Sequence, residues 1–213
     1  MHENHSCLLD VVAAAYDYKF SQHGPTHEGV MWEDDETQKR RFEILVTLLA
    51  SERSNHSISV NDLGCGYGAL FSYLTDQEVL RVGAYYGYDI CAKMIASAKR
   101  RGDGPRAQFF VSDTAMKSAD YSFASGTFAL KAAAQDEEWN RYIKSSLRNL
   151  WQQSEIGMAF NLPDREKAAE PDSWFYYADS KEFLDFCFSE FTPNAELIVC
   201  DELPDFTILA RKI

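Results

Sequence analysis

No run of about 18 apolar residues occurs in this 213-residue chain, so nothing in it reads as a membrane-spanning helix. Basic charge is scarce as well: 21 Lys and Arg stand against 33 Asp and Glu, a formal net charge of −12. The basic residues gather only in short pieces such as Lys99-Arg100-Arg101. Nucleic-acid binding draws on phosphate neutralisation, so neither nucleic acid nor an anionic membrane is an expected partner. The opening MHENHSCLLD lacks a basic segment followed by an apolar one, so no secretory signal is read and the expected location is cytoplasmic. The five cysteines contain no C-x-x-C pair, which favours reduced thiols over a disulfide framework or a zinc site. His2, His5 and Cys7 sit too near the terminus to be preorganised, and no metal is expected. Internal repeats and low-complexity tracts are missing too.

What is present is an ordinary globular composition, 46% hydrophobic and 25% charged, in a length that suits one domain. Apolar spacing predicts helices over 7–20 and 35–51, separated by the loop SQHGPTHEGVMW. From there strands and helices alternate: strands at 58–63, 82–88, 107–112, 121–125 and 155–161, helices at 68–77, 92–101, 136–153 and 180–190. Alternation of this kind implies a parallel sheet with helices on both faces. The last two strands, 195–201 and 205–212, are joined only by DELP. That is too short for a crossover helix, so the final strand must run antiparallel. The expectation is a Rossmann-like α/β fold of seven strands, with a helical lid region at 1–52 and the core at 53–213.

In such sheets ligands bind beyond the carboxyl ends of the strands. The first strand ends Asp62-Leu63-Gly64-Cys65-Gly66-Tyr67-Gly68, the second Gly87-Tyr88-Asp89-Ile90, the third Ser112-Asp113-Thr114, the fourth Ala124-Ser125-Gly126. Glycines at 64 and 66 let backbone approach a ligand that a side chain would block. Asp89, some 20 residues on, is placed to accept from two ribose hydroxyls. Asp113 is placed to accept from an exocyclic adenine amine. Asp62 beside the glycines suits a cationic group better than a pyrophosphate. The acids together describe a pocket for adenosine attached to something zwitterionic. A dinucleotide pattern G-x-G-x-x-G would need glycine at Ala69. A nicotinamide-dependent oxidoreductase is therefore the second reading, and a non-catalytic binding protein the third.

The ordered set D-L-G-C-G-Y-G, G-Y-D-I, S-D-T and a reversed last strand resembles the class I S-adenosylmethionine-dependent methyltransferases over roughly residues 40–213. The segments ASGTF, GMAFNLPD, WFYYAD and DFTILARK are similar to a bacterial subgroup of that family. The resemblance implies S-adenosylmethionine as cofactor, with Asp62, Gly64, Cys65 and Gly66 around its methionine part. It puts Asp89 and Ile90 at the ribose and adenine edge, Asp113 and Thr114 at the adenine ring, and Ser125 and Gly126 on the sulfonium side. Gln38 and Arg41 share a helical face and are expected either in solvent or over the cofactor's carboxylate. Tyr16 and Trp32 are expected as core aromatics or as a lid over the sulfonium. Trp174, Tyr176 and Tyr177 are candidates for the acceptor pocket, and His23 for a general base. ASGTF is not the Asn-Pro-Pro-Tyr type associated with amino methylation of nucleobases, so a small-molecule acceptor methylated on O or N is expected. Asn61, polar inside a strand that should be buried, asks for a hydrogen-bond partner.

Overall fold

Why an asparagine should sit inside the central strand is answered by the sheet that surrounds it. The computed structural model describes residues 6–50, 57–76, 81–101 and 106–213; the His2, His5 and Cys7 side chains lie outside them. Seven strands form one sheet in the order β3-β2-β1-β4-β5-β7-β6. They are β1 (Ser57–Leu63), β2 (Arg81–Asp89), β3 (Ala107–Val111), β4 (Ala119–Ala124), β5 (Ser154–Pro163), β6 (Ala195–Val199) and β7 (Asp205–Arg211). The neighbouring pairs from β3 to β5 are parallel, while β7 is antiparallel to both β5 and β6. The reversed strand is the one expected.

The helices are α1 (Ser6–His23), α2 (Asp35–Leu45), α3 (Ala69–Thr75), α4 (Ala92–Arg101), α5 (Asp136–Gln152) and α6 (Ser180–Glu190). Alternation along the strands sorts the core into two layers. On one face Leu9 and Val12 of α1, Ile143 and Leu147 of α5, and Phe183 of α6 pack on Leu63, Tyr88, Met158 and Phe160. On the other, Leu45 of α2, Leu70 and Leu74 of α3, and Ile95 of α4 pack on Val60, Tyr85, Tyr121 and Phe123. The helix expected to reach 51 ends at Leu45 and continues as a 3-10 turn, Val46–Leu49. β4 starts two residues early and β5 runs on to Pro163, two residues past the expected end.

Asn61 and Leu63 face the α1–α5–α6 layer, and Asp62 the other. The Asn61 amide donates to the Lys117 carbonyl at 2.8 Å, and its oxygen accepts from the Tyr88 hydroxyl at 3.2 Å. Ser154 and Ser122, joined at 2.7 Å, extend this buried polar patch between β1, β4 and β5. A fully partnered network of this kind fixes register, because a slip of one residue would strand every member. Asn61→Ala removes the donor to the Lys117 carbonyl and one partner of the Tyr88 hydroxyl from this patch. The expected cost is about 1–3 kcal/mol, read as a lower urea midpoint with an unchanged slope.

Candidate active site

The turn after β1 makes the site. Gly64, Gly66 and Gly68 have φ of +74°, +54° and +86°, the left-handed region that side chains resist. At Gly64 a Cβ would also come within 2.5 Å of Thr127. The glycines are therefore demanded by the turn's own shape as well as by close approach. The turn is then tied to its neighbours: the amides of Gly64 and Cys65 donate to the Tyr88 carbonyl at 2.8 and 3.0 Å. Asp89 accepts from the Gly66 amide at 2.9 Å with one oxygen and from the Cys91 amide at 2.8 Å with the other. Across the sheet, Thr127 donates to the Leu63 carbonyl at 2.6 Å, and Asn161 of β5 accepts from the Gly126 amide at 2.7 Å.

Above these tips opens a cleft of about 860 Å³, mouth included. Its floor is Asp62, Gly64, Cys65 and Gly66; Asp89, Ile90 and Asp113 line one end, and Ser125 and Gly126 the other. Tyr16, Trp32 and Gln38 from the N-terminal segment also line it. The residues read at the strand ends thus come together, with Thr114 the exception. Thr114 closes a small turn in which the Ser112 hydroxyl donates to its carbonyl at 2.8 Å.

Five other candidates are not on the cleft wall. Arg41 is 5% exposed, ion-paired with Asp205 of β7 and 4.1 Å over the ring of Trp32. Its charge is met by Asp205 instead of a ligand. His23 is exposed, its Nδ1 3.0 Å from Glu28, and so is not placed as a base. Tyr176 is a core residue whose hydroxyl accepts from Asn140 at 2.7 Å. Trp174 is exposed, its carbonyl accepting from the amides of Lys131 and Ala132. The Tyr177 hydroxyl accepts from the Asp172 amide. That segment packs against the loop after β4, which is why its aromatics do not face the cleft. Trp139 and Tyr142 of α5, Thr127, and Leu9 and Val12 of α1 do line it. In sequence Trp139 shows only the spacing of a core stripe, nothing singles out Tyr142, and Thr127 stands out only as part of ASGTF.

Electrostatically the floor is unusual. Burial pushes the Asp62 carboxyl up to about 7, against the hydrogen bond donated by Tyr85, and the charge of Asp89 adds to the rise. Burial likewise pushes Asp89 up to about 6, against the Cys91 and Gly66 amides. The Cys65 thiol is driven well above its ordinary range by burial, then by Asp62 and Asp89. Burial and then Asp89 raise the Tyr16 hydroxyl; burial also raises that of Tyr142.

The topology with one reversed strand beside β5, and acids at successive parallel tips, defines the class I methyltransferase fold. A family profile described as "Methyltransferase domain" matches residues 60–152. The Mycobacterium tuberculosis protein named "Putative methyltransferase Rv1506c" is 36% identical over 156 residues, covering 72% of this chain and 93% of that one. Among solved structures, magnesium protoporphyrin IX methyltransferase of Synechocystis PCC 6803 with bound SAH superposes with a TM-score of 0.68. It is 14% identical, over 95% of this chain and all of the other. The DhpI–SAM–HEP complex superposes at 0.63 with 15% identity, over 96% and 98% of the two chains. The chain belongs to the S-adenosylmethionine-dependent methyltransferases. It is an enzyme of that class rather than an oxidoreductase.

A carboxyl raised in the folded state takes up a proton on folding between its unfolded value near 4 and its folded value. Asp89 and Asp62 therefore cost stability progressively as pH rises from about 4 to about 7, and the loss levels off above that. The melting temperature of the ligand-free protein is expected to fall between pH 5 and about 7.5. Asp62→Asn should flatten the upper part of that fall; a pH profile indifferent to the substitution contradicts the buried-charge account.

Proposed function

We propose that the cleft holds S-adenosylmethionine by the acids at the strand tips and methylates O or N of a small-molecule acceptor in the cytoplasm. The single observation that carries this is the placement of Asp62, Asp89 and Asp113 on one cleft with the glycine turn between the first two. The donor set fits the group: carboxylates suit ribose hydroxyls, an adenine amine and a cationic methionine end, and the left-handed turn removes the side chains that would fill the space. When bound, the cofactor supplies an electrophilic methyl group.

The residues of this chain then have simple tasks. Asp89 accepts from the ribose while its other lone pairs stay with Gly66 and Cys91, so the carboxylate is oriented before the ligand arrives. Asp113 and Ile90 receive the adenine, and Asp62 with Gly64, Cys65 and Gly66 receives the methionine part. Ser125, Gly126 and Trp32 bound the space where the acceptor must lie in line with the methyl carbon. The described part of the N-terminal segment, residues 6–50, acts as the lid. Leu9, Val12 and Tyr16 of α1 cover the cleft, and Asp17 fastens that helix to α4 through Lys93 at 2.7 Å. Such a cover excludes water. The free thiols of Cys65, Cys91, Cys187 and Cys200 support a reducing compartment.

Calorimetric titration with S-adenosylhomocysteine, with NADH alongside, tests the reading. Binding in the micromolar range is expected, with no heat from NADH. Asp89→Asn keeps the amide contacts possible but loses charge and acceptor capacity, and should weaken binding by about tenfold or more. Equal affinity in the variant would remove Asp89 from the ribose.

A further inference from the structure

The cleft is built for a particular kind of acceptor, and its charge says which. Three carboxyl groups line it, and among the described residues lining it none is Lys, Arg or His. Of the cations behind its walls, Arg41 is committed to Asp205 on one side and to the face of Trp32 on the other, and Arg101 lies over the ring of Tyr67. The Arg41 Nη1 is buried without a protein partner, yet the residue is not on the cleft wall. Much of the remaining wall is aromatic and apolar, with Trp32, Trp139, Tyr142, Leu9 and Val12 among its residues.

A base is missing from the same space. The Tyr16 and Tyr142 hydroxyls are held above their ordinary range by burial, which makes them donors. Asp89 is engaged by two amides and Asp62 by Tyr85, and the third carboxyl, Asp113, is given to the adenine in the cofactor assignment above. An alcohol acceptor needs its proton taken as it attacks, whereas an amine brings a lone pair of its own.

We propose that the acceptor is an amine on an apolar body and that the cleft rejects acids. This rests on the cofactor assignment above. The amine nitrogen forms the new N–C bond as the C–S bond breaks, the electron pair of that bond remains on sulfur, and the extra proton leaves to water. Anionic acceptors meet the cleft's carboxyl groups and no lining counter-ion; ammonium forms are drawn into the mouth and give a proton to water before the lone pair attacks.

The test uses three probes that share a phenyl ring and differ at the end of the chain: 2-phenylethylamine, 2-phenylethanol and 3-phenylpropionate. Each is titrated into protein saturated with S-adenosylhomocysteine, following tryptophan fluorescence. The amine is expected to bind about tenfold or more tighter than the acid and severalfold tighter than the alcohol, with the amine–acid gap narrowing at high salt. An acid binding as well as the amine would overturn the proposal and would mean that Arg41 turns its free nitrogen to the cleft. An alcohol equal to the amine, or no binding by any probe at millimolar concentration, overturns it too. S-adenosylhomocysteine binding is read first in the same cuvette. Its failure would sink the cofactor assignment, while the order of the probes in the ligand-free protein still decides the acceptor's charge.

Discussion

One carboxylate holds the upper end of the molecule in shape. Asp89 closes β2, and its two oxygens accept from the Gly66 amide in the turn after β1 and from the Cys91 amide that leads into α4. A buried carboxylate is costly unless its lone pairs are met, and here two are met by backbone that has nowhere else to go. The turn after β1, the tip of β2 and the entry to α4 thus become one rigid unit. The same logic repeats sideways: the Tyr88 carbonyl takes two amides of the turn, Thr127 reaches back to Leu63, and Asn161 takes the Gly126 amide. Four strand tips are laced together by the chain itself, so the site's geometry exists before any ligand does.

That rigidity has an electrostatic consequence. Asp62 and Asp89 are 2% and 9% exposed, and Asp62 is held up further by its neighbour's charge. The fold tolerates two carboxyls whose ionisation opposes burial, in a place where a hydrophobic residue would pack at less cost. Locally unfavourable arrangements of this type are characteristic of functional sites. The strain is relieved by whatever brings positive charge to the floor, so binding and ionisation of the acids favour each other. The same charge that attracts a cationic cofactor governs what can lie beside it. On the acceptor proposed above, cofactor and acceptor selectivity share one physical cause.

How much of this was readable before the structure depended on the range of each interaction. Strand order, the reversed β7 and the acids at the tips follow from periodicity and from the short DELP link, which are local signals. Most of the residues that meet at the strand tips were legible for that reason. The Arg41–Asp205 pair joins residues 164 apart in sequence, and no spacing rule points to it; helical phase alone suggested a ligand. Trp139 carries the signature of a core stripe because it is a core residue whose edge happens to reach the cleft. Trp174, Tyr176 and Tyr177 misled for the opposite reason. An aromatic run after β5 looks like a pocket wall, but two backbone bonds from Trp174 to the loop after β4, and one from Tyr176 to Ala129, turn it toward packing.

The Arg41 pair also explains why the last strand bears on the first helices. Asp205 is the opening residue of β7, opposite Pro163 at the end of β5. Arg41 comes from α2, and the ring it covers, Trp32, lies flat enough against Gly126 that a Cβ there would come within 2.2 Å of it. A line of contact therefore runs from the C-terminal strand through α2 to Trp32 and onto the tip of β4. Removing either charge of such a buried pair leaves the other without compensation, so the N-terminal segment and the reversed strand stabilise each other across the sheet's edge. Two parallel strands joined by a crossover could not supply this contact, because the reversal is what brings the start of β7, and with it Asp205, up to the carboxyl end of β5. The seventh strand, which takes no part in lining the cleft, is in this way what keeps its aromatic wall in place.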